Sequence, residues 1–243
     1  MKKVSMALNV VLLALIIAGD LSYMLLGGLA LKGTTSFLFL LVGVINLIVA
    51  LKSKWFDKNK KMFAILLCVG LFFAMLGDII LNIHFICGAA LFAIGHVFYF
   101  VAYIFLQKIY IWDFVIAAAI FVPSVLFMLL CPIFGFESIL MKLVCVFYGA
   151  IISLMVGKAI YLAIKQKTLT SLVLAIGSVL FFVSDFMLLL HVFGNAGLWS
   201  DIVCLATYYP AQFLLGFSIW VLCFEDKMLL KKTNIQIKQD FQS

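Results

Sequence analysis

Arginine is absent from the whole chain, and acidic residues number only 10. Recognition of phosphates and bases leans on the planar guanidinium fork, so its absence argues against a nucleic-acid partner despite the net charge of +7. Charged residues of any kind make up 11% of the chain. A soluble domain so poor in charge has no way to cover its surface, and no stretch here reads as a soluble second domain. Strand-like alternation of polar and apolar residues is also missing, which excludes a membrane β-barrel. The six cysteines, Cys68, Cys87, Cys131, Cys145, Cys204 and Cys223, form no CxxC pair. They read as small membrane-buried hydrophobes, not as a metal site or a disulfide frame.

Apolar residues make up 67% of the sequence, gathered into repeated runs of about 18 or more, each long enough to cross the hydrocarbon core as a helix. Eight spans are expected, at about 4–26, 35–51, 62–83, 85–107, 113–131, 139–163, 169–192 and 201–223. The first run mimics a leader peptide after Met1-Lys2-Lys3. It continues past leader length without a small-residue cleavage site, so it reads as a span. Lys residues punctuate the spans and set an orientation. With the N-terminus inside, one side holds Lys2, Lys3, Lys52, Lys54, Lys58, Lys60, Lys61, Lys108, Lys165, Lys167 and the Lys residues of the tail, and the outer loops hold only Lys32 and Lys142. Both termini are then cytoplasmic, and Lys158 is expected to snorkel inward. Trp55, Trp112 and Trp199 read as interface anchors, and the polar tail 225–243 as disordered or interfacial.

Gly70, Asp78 and His84 recur as Gly177, Asp185 and His191 at one constant displacement. Lys58 and Lys60 recur likewise as Lys165 and Lys167. This G-x7-D-x5-H echo, on spans that run the same way, implies an all-α membrane protein of two four-helix halves, about 1–108 and 109–224, related as a parallel pseudo-repeat; coincidence is the competing reading. Asn46 and Ser153 fall at the same displacement and read as interhelical hydrogen-bonding groups facing each other.

A carboxylate in hydrocarbon costs about 2.5–3.5 kcal/mol on insertion scales, so Asp78 and Asp185 need a reason to be there. Each lies about 24 Å above the inner end of its span, at matched depth. Two such groups facing one cavity repel each other, leaving one protonated and one ionised, an acid and a base in one pocket. Helix glue without chemistry is the bland alternative. The surrounding residues favour a site. Gly70, Gly77, Gly177 and Ser184 allow close helix approach. Gly88, Phe92, His96, Tyr99 and Tyr103 share one face of span four, and Cys204, Tyr208, Gln212 and Gly216 share one face of span eight, with Tyr209 beside it. Pro210 interrupts the span-eight ladder. His84 and His191 read as interfacial, Asp20 as reaching the interface, and Asp113 and Asp201 as helix-start residues. No tight ligand spacing supports a metal.

These motifs resemble the YhhN family of multispan membrane proteins, whose animal relatives are lysoplasmalogenases. The matching elements are Gly77-Asp78, Gly95-His96-Val97-Phe98-Tyr99, Ser184-Asp185 and Tyr208-Tyr209-Pro210-Ala211-Gln212, in order and in the right spans. The resemblance covers nearly the whole chain. It implies hydrolysis of the vinyl ether of lysoplasmalogens to a fatty aldehyde and a glycerophospho-headgroup, with Asp78 and Asp185 as the catalytic pair. His96, Tyr99, Tyr208, Tyr209 and Gln212 would then position water or substrate. It also implies an amphipathic lysophospholipid substrate drawn from the bilayer, no metal or organic cofactor, and residence in the bacterial cytoplasmic membrane. A proton-coupled transporter or lipid-binding protein using the same diacid cavity, and a purely structural membrane protein, are the alternatives. Release of aldehyde separates the first reading from both.

Overall fold

The computed structural model describes residues 2–53 and 56–240; Lys54 and Trp55 lie outside them. Eight helices account for nearly all of it: α1 (Lys2–Leu26), α2 (Leu29–Leu51), α3 (Lys58–Leu81), α4 (Phe85–Leu106), α5 (Ile111–Leu130), α6 (Ile139–Gln166), α7 (Leu169–Phe193) and α8 (Leu198–Asp240). Each is long and apolar enough to cross a membrane. Exposed Leu, Ile, Val and Phe side chains cover the outside of the bundle, as expected of a protein whose solvent is lipid.

Side-chain caps fix several helix starts. Asp57, His84, Ser138 and Thr168 each accept a hydrogen bond from a first-turn amide of α3, α4, α6 and α7, which satisfies donors that would otherwise be orphaned in an apolar medium. The α3–α4 link is the expected Asn82-Ile83-His84 turn, so these helices form a tight hairpin. Their backbones meet over glycine: a methyl added to Gly77 would sit 2.9 Å from the Phe92 ring, and one added to Gly95 would sit 3.1 Å from the Gly70 carbonyl.

The packing repeats. In the first half α1 packs on α2, α2 on α3 and α3 on α4; in the second, α5 on α6, α6 on α7 and α7 on α8. The halves join by matching contacts, α2 against α8 and α6 against α4. The parallel pseudo-repeat is therefore built into the fold. It breaks where α1 also packs on α8, whereas its counterpart α5 touches α6 alone among the described residues; a smaller break is the α3–α8 contact, which α7 and α4 do not match.

Four expectations are corrected. Span two begins at Leu29, not near residue 35, because Thr34 and Thr35 return their hydroxyls to carbonyls four residues back, at 2.8 and 2.9 Å, and so stay in a helix. This moves Lys32 from a loop into α2. Lys158 does not snorkel; it is fully buried, 3.0 Å from Asp113 and 2.8 Å from the Lys108 carbonyl. The outward path is closed by the α5 backbone, which packs on Gly157 beside it. Asn46 and Ser153 do not face each other, because α2 and α6 do not touch. Asn46 exchanges side-chain hydrogen bonds with Asn9 and donates to the Gly216 carbonyl, whereas Ser153 Oγ is buried without a hydrogen-bond partner. The tail, finally, continues α8 to Asp240, since extending a formed helix avoids the cost of nucleating one.

Candidate functional site

Asp78, near the C-terminal end of α3, is buried at 3% exposure inside a cage of donors. Lys32 Nζ of α2 lies 3.1 Å from Oδ1. Ser36 Oγ, one turn along the same helix, donates to Oδ2, and Tyr209 Oη of α8 donates to Oδ2 at 3.3 Å. The Lys32 ammonium also lies 5.5 Å from the centre of the Tyr23 ring. An ammonium and two hydroxyls turned on one carboxyl suit an ionised, acceptor-only group.

Asp185 of α7 is held differently. Tyr148 Oη of α6 donates to Oδ2, and His96 Nε2 of α4 lies 3.6 Å from the same oxygen. The other ring nitrogen, His96 Nδ1, is 2.6 Å from the Phe92 carbonyl. A carbonyl only accepts, so Nδ1 carries the hydrogen and the lone pair of Nε2 is left aimed at Asp185. Nε2 is buried and has no other hydrogen-bond partner.

The two half-sites obey the pseudo-symmetry. His96 is the twelfth residue of α4 and Tyr209 the twelfth of α8. Each reaches across to the aspartate of the opposite half, His96 to Asp185 and Tyr209 to Asp78. The same position therefore carries an imidazole in one half and a phenol in the other. Tyr99 and Gln212, both fifteenth in their helices, meet on the axis, with Tyr99 Oη donating to Gln212 Oε1 at 2.9 Å. Gln212 Nε2 is buried without a partner.

Asp78 and Asp185 line one cavity of about 40 Å³, with Tyr23, Lys32, Ser184, Asp201, Cys204 and Tyr208 among its walls. That is room for a few waters. A second cavity of about 90 Å³ lies among α4, α5, α6 and α7, walled by Phe85, Val125, Met128, Ile152, Phe182 and Leu189 and reaching Tyr148 and Asp185. Asp185, Phe92, Leu81 and Leu188 line both. The larger cavity exists where α5 stands away from α4, the place where the repeat breaks.

Of the residues singled out in the sequence, Asp78, Asp185 and Tyr208 line the small cavity, and His96 and Tyr209 touch the carboxyls from behind. Tyr99 and Gln212 bond each other and line neither cavity. Tyr208 Oη donates to the Ala74 carbonyl at 3.4 Å. Lys32 as the partner of Asp78, and Ser36 and Tyr148, are not indicated by the sequence reading of the site. A signal existed for the first two, since Lys32 and Ser36 stand four apart and share a helix face. Asp20 does not turn out to the interface: it is 6% exposed, Oδ1 has no hydrogen-bond partner, and its charge interacts with that of Asp78. Among the described residues, no group of three His, Cys, Asp or Glu is placed to hold a metal ion.

No curated protein and no solved structure matches the chain. The model of the YhhN family matches residues 29–219, which takes in α2 to α7, most of the spanning part of α8 and both aspartate half-sites. An eight-helix membrane-type bundle that carries its two aspartates on the third and seventh helices thus belongs to the YhhN family.

Proposed function

We propose that this protein hydrolyses the vinyl ether bond of lysoplasmalogen-type lipids within the membrane, releasing a fatty aldehyde and a glycerophospho-headgroup. One observation carries the reading: Asp185 sits at the junction of an apolar cavity and a water-sized polar cavity that also holds Asp78. A hydrocarbon chain in the first brings the bond beside it to Asp185.

Vinyl ether cleavage begins with protonation of the β-carbon, which leaves an oxocarbenium ion. Water adds to give a hemiacetal, and the hemiacetal collapses to aldehyde and alcohol. Asp185 is the proton donor. His96 Nε2, 3.6 Å from its Oδ2, takes up and returns that proton as the two close to hydrogen-bond range, and the Phe92 carbonyl keeps the imidazole in the tautomer that can take part. Asp78, kept ionised by Lys32, Ser36 and Tyr209, stabilises the cation and accepts a proton from the attacking water. Tyr208 orients that water from the cavity wall. The chemistry parallels glycosidases with paired carboxylates, by analogy only. Both termini face the cytoplasm, as the Lys distribution favours.

The test is to incubate the purified chain in detergent with an alkenyl lysophospholipid and assay free aldehyde. Asp78→Asn and Asp185→Asn should each abolish release while eluting as folded protein. Full activity in either variant refutes the diacid mechanism. Passage of the lipid across liposomes without cleavage would favour transport.

A further inference from the structure

The walls of the two cavities follow one another in a chemical order. Apolar side chains of α4 to α7 come first, Asp185 next, and then Asp78 with Lys32. Among the described residues, Lys32 is the only basic one lining the small cavity, whose walls also include Asp78, Asp185 and Asp201. At 8% exposure it is not a surface lysine, and its ammonium is occupied by Asp78 on one side and the Tyr23 ring on another. An amphiphile whose chain fills the apolar cavity, with its scissile bond at Asp185, carries its next substituent to Lys32.

We infer that Lys32 determines specificity by recognising the phosphodiester of the substrate, and that Asp78 is the internal counter-ion which that phosphodiester displaces. The idea rests on the hydrolase reading and adds a residue and a discriminating group to it. The ammonium is closed off by Asp78 at 3.1 Å, so the anion reaches it as the Lys32–Asp78 pair separates. An ammonium is a compact charge on a flexible stem and can swing between two acceptors, which a rigid fork does less readily. Separation also leaves the Asp78 carboxylate free to face the reacting carbon and water. A phosphate-free lipid leaves the pair closed.

The experiment compares two substrates with the same alkenyl chain, 1-alkenyl-glycerophosphoethanolamine and phosphate-free 1-alkenylglycerol, on the full chain in detergent. The wild type should favour the phosphodiester by about tenfold to a hundredfold in kcat/KM, the range for one charge-assisted hydrogen bond. Lys32→Met should bring that ratio to about one, whatever activity both substrates lose together. A ratio unchanged in Lys32→Met, as expected if the residue only positions Asp78, overturns the proposal; so does a wild type that cleaves both lipids equally. If the wild type cleaves neither, the hydrolase reading fails and binding decides. Non-cleavable 1-alkyl analogues are then compared by thermal midpoint. The phosphodiester should raise it more than the alkylglycerol in wild type, with the difference lost in Lys32→Met. Equal shifts, or an equal rise with inorganic phosphate alone, overturn the proposal.

Discussion

His96 and Asp185 approach to 3.6 Å from different halves of the molecule, and the imidazole is oriented by a carbonyl of its own helix. Neither half contains this pair on its own: α7 supplies the carboxyl and α4 the ring. The same exchange supplies Asp78 of α3 with Tyr209 of α8.

Replacing His96 by Phe should therefore lower aldehyde release about 10²- to 10⁴-fold, the usual worth of a positioned acid–base group, while the protein still folds. The tilted ring contact with Phe181, at 4.6 Å between centres, is kept by Phe. The measurement is single-turnover aldehyde formation alongside circular dichroism; unchanged kinetics would remove His96 from the proton path.

Tyr148→Phe removes the hydroxyl donor to Asp185 and nothing else of size. A loss of about tenfold to a hundredfold in kcat, with KM little changed, is expected if that bond orients the acid. An effect on KM alone would assign Tyr148 to the chain cavity that it also lines.

Lys158 and Asp113 form a second buried pair, away from both cavities. Lys158→Met strands a carboxylate in the bundle and should cost about 3–5 kcal/mol of stability. Lys158→Met combined with Asp113→Leu should recover much of that loss. Thermal midpoints of the four proteins in one detergent form the cycle, and additive losses would show that the two groups do not depend on each other.

Gly149 lines the apolar cavity, and a Cβ there meets nothing nearer than Phe121 at 3.8 Å. Gly149→Leu should fill part of the space without displacing backbone. If the cavity takes the substrate chain, long alkenyl lipids should lose about tenfold or more in kcat/KM while short ones lose little. Equal losses for all chain lengths would put the chain elsewhere.

Helix number, the tight α3–α4 hairpin and the meeting of the two aspartates were all legible in the sequence, because each depends on local composition or on the Gly70/Gly177 and Asp78/Asp185 echo. What could not be read were contacts made by residues with no counterpart in the echo. Lys32 reads as a loop residue because Gly33, Thr34, Thr35 and Ser36 look like a turn in water, although in a bundle the threonine hydroxyls close on the backbone. Tyr148 looked like one aromatic among many. Lys158 was judged by its distance from the helix end, whereas an acid on the neighbouring helix decided its place.

Because α5 rests on α6 alone, the flank of the second half differs from that of the first, where α1 is braced by α8 as well. The two flanks of the bundle are therefore inequivalent, and the less braced helix is the one that helps wall the apolar cavity reaching Asp185.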